Sequence, residues 1–120
     1  MNVHTKVTRM EPTQAILAYV EKKTAGFSKF LAADAKIADV HVEVEKTTRH
    51  HHSGPVFRAE VNLSAGKTRL YADATADDLY AAIDLVRNEV VRELTALRSK
   101  RRALERRGSL RIKKMMKGGK

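Results

Sequence analysis

Three stretches of the chain alternate apolar and polar residues with a period of two, and each offers only one apolar face. Val40, Val42 and Val44 interleave with His41, Glu43 and Glu45; Phe57, Ala59, Val61 and Leu63 interleave with Arg58, Glu60 and Asn62; Leu70, Ala72 and Ala74 interleave with Arg69, Tyr71 and Asp73. Runs of this kind form half-buried strands, so the chain must also supply something to cover their apolar side. Ser64-Ala65-Gly66-Lys67 is short and carries the glycine that a tight hairpin needs, while Thr47 to Pro55 reads as a longer polar loop. Three consecutive antiparallel strands are predicted.

The cover comes from either side of them. Thr13 is suited to cap a helix reaching about Leu31, in which Ala15, Ile16, Tyr19, Val20, Phe27, Phe30 and Leu31 fall near one stripe. Gly26 weakens its second half by ~1 kcal/mol relative to Ala. A second helix is predicted from Thr75, with Asp78 three places on as a weakened capping box, and Leu79, Ile83, Val86, Val90, Leu94 and Leu97 keep one stripe. Arg98 to Arg107 prolongs it with only Leu104 on that stripe, and Gly108 is expected to stop it. Ahead of everything, Asn2 to Arg9 alternates as an edge-forming strand.

The order β-α-β-β-β-α predicts a single α+β domain of two layers, a four-stranded sheet with two helices packed on one face and the other face open to solvent. A chain of 120 residues has room for one domain. That domain is assigned to residues 1–107, and residues 108–120 form a basic tail without periodicity, expected to be disordered.

Charge is distributed unevenly. Eleven of the 24 cations and one of the 14 anions stand in residues 98–120, so the first 97 residues balance at 13 of each and the whole formal excess of +10 sits in the C-terminal fifth. Such a block points to a polyanion, with nucleic acid ahead of an anionic membrane. The open sheet face is excluded as the meeting surface, because Glu43, Glu45, Glu60 and Asp73 outnumber Arg58 and Arg69 and no paired aromatics offer a stacking platform. The second helix is better suited. At 100° per residue, Tyr80, Arg87, Val91, Arg98 and Arg102 share a flank beside the apolar stripe, and Lys22, Lys23 and Lys29 of the first helix can extend it. Lys100, Arg101, Arg106 and Arg107 complete the basic run.

Other chemistries find little support. Without cysteine there is no disulfide framework, thiol catalysis or Cys-based zinc site. His50-His51-His52 puts three adjacent imidazoles in a loop, where they diverge and lack a carboxylate at ligand spacing, so they read as a solvated loop. Asp77 and Asp78 at a helix start answer the helix dipole rather than forming a catalytic pair. There is no glycine-rich phosphate loop, and Arg106-Arg107-Gly108-Ser109 matches a basophilic kinase target only as basic tails commonly do. No catalytic residue, cofactor, metal or small-molecule substrate is assigned, nor a membrane partner. The chain lacks an apolar run of membrane-spanning length and an apolar leader, and a soluble cytoplasmic protein is expected.

Asp77-Asp78-Leu79-Tyr80-Ala81-Ala82-Ile83-Asp84, following Leu70-Tyr71-Ala72-Asp73-Ala74, resembles the signature of the ribosome hibernation promoting factors, the family of ribosome-associated inhibitor A and the sigma-54 modulation proteins. Met10-Glu11-Pro12-Thr13-Gln14-Ala15-Ile16 leading into Tyr19-Val20-Glu21-Lys22-Lys23, and the strand Val40 to Lys46, resemble it too, so the likeness covers roughly residues 1–102. It implies a non-enzymatic domain shaped like double-stranded-RNA-binding domains, which binds the small ribosomal subunit of assembled, idle ribosomes in the channel shared by messenger and transfer RNA. Carried over by position, ribosomal RNA contacts fall to Lys22, Lys23 and Lys29, and to Arg87, Arg92, Arg98, Arg101 and Arg102; Arg92 rests on the resemblance alone. The chain has no room for the second, dimerising domain of long members, so it reads as a short form and as a monomer off the ribosome. The residues by themselves also suit another RNA- or DNA-binding module or a transcription-modulating interaction protein.

Overall fold

The computed structural model describes residues 1–47 and 56–118, the last two by their backbone. Its elements are β1 (Asn2–Thr8), α1 (Gln14–Thr24), two 3-10 segments (Ala25–Phe30 and Ala32–Ile37), β2 (Asp39–Thr47), β3 (Val56–Ala65), β4 (Thr68–Ala76) and α2 (Leu79–Gly118). The strands form one sheet in the order β1-β2-β3-β4. β1 lies parallel to β2, with Val3 opposite Val40 and Val7 opposite Val44, and the other two pairings are antiparallel. A parallel pair needs a crossover, which α1 and the 3-10 segments provide. This is the expected α+β architecture.

The alternation does what the sequence predicts. Val40, Val42, Val44, Ala59, Val61, Leu63 and Ala72 are buried beneath the helices, while His41, Asn62, Tyr71 and Asp73 are exposed on the other face. From α1 the core receives Ile16 and Val20, and from α2 it receives Leu79, Ala82, Ile83, Val86, Val90 and Leu94. The Thr13 side chain caps α1, accepting the Ile16 N–H at 3.2 Å. Gly66 takes φ +59°, a left-handed value suited to the first position of a two-residue hairpin turn, and a Cβ there would stand 3.1 Å from the Asp34 carboxylate.

Three expected boundaries are corrected. The first helix does not reach Leu31 as α-helix but ends at Thr24, whose hydroxyl donates to the Val20 carbonyl at 2.9 Å. The backbone then tightens to three residues per turn, which brings Phe27 and Phe30 onto one line into the core. Lys29 therefore stands on a 3-10 segment. The second helix starts at Leu79 rather than after Thr75, because β4 stays paired through Thr75 and Ala76; Asp78 is the cap, its carboxylate accepting the Ala81 N–H at 3.0 Å. Finally, Gly108 does not end α2, which runs on to Gly118 and makes residues 109–118 helical rather than disordered. A glycine inside an exposed helix costs only ~1 kcal/mol against Ala, and the Arg, Lys, Leu and Met around it are good helix formers. The His50–His52 loop lies outside the described residues.

Burial shows where α2 leaves the body. Leu94 is 1% exposed, but the next stripe residues, Leu97 and Leu104, are 44% and 56% exposed. From Leu94 to Gly118 the helix extends ~36 Å at 1.5 Å per residue, and the molecule measures 74 Å along its longest dimension.

Candidate nucleic-acid interface

Where α1 and the first 3-10 segment lie alongside α2, two small clusters set the basic side chains. At the first, the Tyr19 hydroxyl donates to Asp84 at 2.6 Å, Lys23 Nζ lies 3.1 Å from the same carboxylate, and the Tyr19 and Tyr80 rings meet edge-to-face with centroids 4.8 Å apart. The Tyr19 hydrogen bond, with Lys23 and Arg87 nearby, holds the Asp84 carboxyl below the usual aspartate range despite some desolvation. Lys23's own hydrogen bond to Asp84 raises its ammonium above the ordinary lysine value, so this cation stays charged and aimed. Residues four apart on each helix, Tyr19 with Lys23 and Tyr80 with Asp84, share a face, which is why the four meet.

Phe30 organises the second cluster. The Arg98 guanidinium sits 4.6 Å from the centre of its ring and Lys29 Nζ 5.1 Å from it, both within cation–π reach. Arg101 donates to the Phe30 carbonyl at 3.4 Å. Arg102 follows Arg98 by one turn and is exposed. The seam between the helices thus gathers Lys23, Lys29, Arg87, Arg98, Arg101 and Arg102. Arg87 lies on the Tyr80 flank, its guanidinium donating to the Asn88 side chain at 3.0 Å.

Two expected residues stand elsewhere. Lys22 is exposed on the outer face of α1, about 200° around the helix from buried Val20. Arg92 also lies off the seam, bound through two hydrogen bonds of 2.6 and 2.7 Å to Glu89 on the solvent side of α2. Lys100, Arg106 and Arg107 are exposed on the projecting part of α2. Neither the Asp84 clasp nor the Phe30 hub was anticipated. The clasp's local signal was the four-residue spacing of Tyr19 with Lys23 and of Tyr80 with Asp84, the hub had none, and which helix faces meet is a tertiary fact.

The sheet face differs in kind, because Arg58, Lys6 and Arg9 are occupied and only Arg69 lacks an ion pair among the described residues. Arg58 contacts Glu60 at 2.8 Å, Asp73 at 2.9 Å and the Tyr71 hydroxyl at 2.8 Å; burial works against its charge, yet the hydrogen bonds to Asp73 and Glu60 outweigh that and raise its pKa. Lys6 faces Glu43 at 3.6 Å and Arg9 faces Glu45 at 3.4 Å. A phosphate there would compete with carboxylates already in place. Among the described residues no cluster of three His, Asp or Glu is arranged to hold a metal, and no helix is long and apolar enough to cross a membrane.

The family model for sigma-54 modulation protein / S30EA ribosomal protein matches residues 3–102. The chain belongs to this family. Two curated relatives are both named ribosome hibernation promotion factor. One, from Picosynechococcus, is 33% identical over 88 residues, 73% of this chain and 44% of the relative. The other, from Staphylococcus aureus, is 32% identical over 82 residues, 68% of this chain and 40% of the relative. The chain spans less than half the length of these relatives. The S30EA fold is matched by the crystal structure of the Thermus thermophilus Protein Y N-terminal domain, with a TM-score of 0.62 and 24% identity over 81% of this chain and 99% of that one. It is also matched by a ribosomal subunit interface protein from Coxiella burnetii, with a TM-score of 0.63 and 15% identity over 82% of this chain and 99% of that one. At such identities the likeness is one of fold.

Proposed function

We propose that this protein silences idle ribosomes by binding the small ribosomal subunit in the channel used by messenger and transfer RNA, with its helical seam against ribosomal RNA. The carrying observation is the line of Lys29, Arg87, Arg98 and Arg102 on packed helices of a member of this family. Cations whose stems rest on a rigid framework lose little freedom on meeting phosphate, and they fix register as well as affinity. Lys23 and Arg101 act mainly by tying the seam together, and Lys22 and Arg92 contact RNA only from outside it. The names of the two relatives support the hibernation reading. The action is stoichiometric, with no bond made or broken, and takes place where ribosomes are, in the cytoplasm.

Co-sedimentation with small subunits and a cell-free translation reaction test this. The protein should pellet with the subunit and lower translation yield in proportion to its ratio to ribosomes. Replacing Arg87, Arg98 and Arg102 with Ala should weaken binding far more than replacing Arg58 and Arg69, since a well-formed charge-assisted contact contributes ~1.5–3 kcal/mol. Unchanged yield at several-fold excess over ribosomes would overturn the reading. Capture of RNA polymerase components without ribosomes would put a transcriptional role in its place.

A further inference from the structure

The family match ends at residue 102, yet α2 continues to Gly118. Along this arm the charges are ordered. Taking Leu110 as the reference direction and 100° per residue, Ser99 and Ala103 lie within about 20° of it. Arg102, Arg106 and Lys113 run along one side of that line, about 40–80° away. Lys100, Arg107, Arg111 and Lys114 run along the other side, about 40–100° away. All seven are exposed, and none has an ion-pair partner among the described residues. The arm's single anion, Glu105, points to the opposite half of the helix, as do Leu104, Gly108, Ile112 and Met115.

Two parallel rails of cations flanking a narrow strip with a Ser, an Ala and a single Leu form a surface for two strands of phosphate with the helix lying between them. We propose that residues 99–114 are a second RNA-binding element, which lies along the minor groove of double-stranded RNA with one cationic rail on each backbone. The partner is a helical segment of RNA recognised through phosphates and sugars, without base readout. The wide, shallow minor groove of A-form RNA admits such a rod, and small residues between the rails permit close approach to its 2′-hydroxyls. An anionic membrane fits the pattern less well: a surface-seeking helix turns its apolar stripe inward, and here that stripe is broken by Arg101 and Gly108 and carries no aromatic anchor. A second copy of the chain is opposed by like charge. The inference rests on the preceding reading only for the expectation that the duplex is ribosomal.

The test uses the full chain in three variants that each lower the net charge by two. One carries Arg106→Gln and Lys113→Gln, one carries Arg107→Gln and Lys114→Gln, and one carries Ile112→Glu and Met115→Glu on the opposite half. Gln and Glu are good helix formers, and circular dichroism checks that the arm stays helical. Binding to a 20-base-pair RNA duplex of mixed sequence is followed by fluorescence anisotropy across a salt series. Each neutralised phosphate contact accounts for a log–log slope of about 0.7–0.9, so either rail variant should lower the slope by about 1.5 and the opposite-face variant should leave it nearly unchanged. Equal losses from all three variants would show that net charge alone acts and would overturn the proposal. So would rail variants that keep full duplex affinity, or that lose binding to phosphatidylserine vesicles while duplex binding is untouched. The same variants on small subunits separate the two readings. If the parent chain binds the duplex but no ribosome, the hibernation proposal fails and the arm stands; if it binds ribosomes and the rails behave like the opposite face, the arm fails alone.

Discussion

Leu94 and Leu104 both belong to the apolar stripe of α2, about 80° apart around the helix, and truncating each to Ala reports where the folded body ends. Leu94 is 1% exposed among Val90, Val86 and the sheet, whereas Leu104 is 56% exposed. Removing the buried side chain forfeits ~1.5–3 kcal/mol of transfer free energy plus a cavity contribution, and Leu→Ala changes in cores cost ~2–5 kcal/mol. Leu94 is the last core residue on α2, where the surroundings can partly close around the gap, so the lower half of that range, ~2–3 kcal/mol, is expected. With a shift of ~4–8 °C per kcal/mol for a body of this size, thermal melting of Leu94→Ala should drop by ~10–20 °C. Leu104→Ala removes a side chain that is mostly in water and substitutes a better helix former, so its melting temperature should stay within the ~0.5 kcal/mol scatter of surface changes. Both variants are melted as full chains at one pH and salt concentration, followed by circular dichroism. A Leu104→Ala loss as large as that of Leu94→Ala would refute the reasoning, because the arm would then be packed on the body rather than projecting from it.

Two further perturbations follow from local geometry. Gly108→Ala meets no atom within 4 Å of the added Cβ, so it should strengthen the arm by ~1 kcal/mol, seen as higher helicity in circular dichroism with the body's melting temperature unmoved; a fall in helicity would mean that Gly108 holds a non-helical backbone. Asp84→Asn should destabilise the fold in a pH-dependent way. The carboxyl is held low in the folded state, chiefly by the Tyr19 hydroxyl and then by Lys23, so its stabilisation is complete above the unfolded value of about 4 and fades as pH falls through the lower folded one. The melting-temperature gap between parent and variant should therefore be full at pH 7 and shrink below about pH 4, and a gap that is constant or widens on acidification contradicts the clasp.

Much of the fold could be read from periodicity because each β residue declares its face by parity alone. Val40-Val42-Val44 and Ala59-Val61-Leu63 bury all six only in registers of matching parity, and the pairing of Val42 with Val61 is one of these. The helix limits were harder for reasons specific to each. Phe27 and Phe30 are three apart, a spacing that serves an α-helix and a 3-10 turn equally, so only the backbone distinguishes them. Thr75 looks like a cap, but it pairs opposite Arg58 in the sheet, and a ladder contact outweighs a capping preference. Gly108 stops a helix only by taking a left-handed φ, and it does not: among the described glycines Gly66 alone has a positive φ. The site was legible as a composition and less so as a geometry. Arg98 and Arg102 follow from the helical repeat, which also puts Arg92 about 120° away from Arg98 and beside Glu89, whereas the ring that seats Arg98 comes from residue 30.

Seam and arm share one uninterrupted helix, and that continuity governs how they can work together. The body is electrically balanced and the arm carries the excess, so at a Debye length of ~8 Å a polyanion attracts the arm before it senses the seam. Had the chain turned at Gly108, the outer cations would add affinity from a floppy tether and would not orient anything. With α2 unbroken, a rail seated on phosphate fixes the helix axis, and the helix axis fixes the direction in which Arg98 and Arg87 face. The Phe30 cluster closes the mechanical path, since Arg98 and Arg101 anchor the root of the arm to the 3-10 segment at the point where the core stripe runs out. Stiffness at that root converts charge capture at one end into alignment at the other, a role that neither the neutral body nor a disordered basic tail could perform alone.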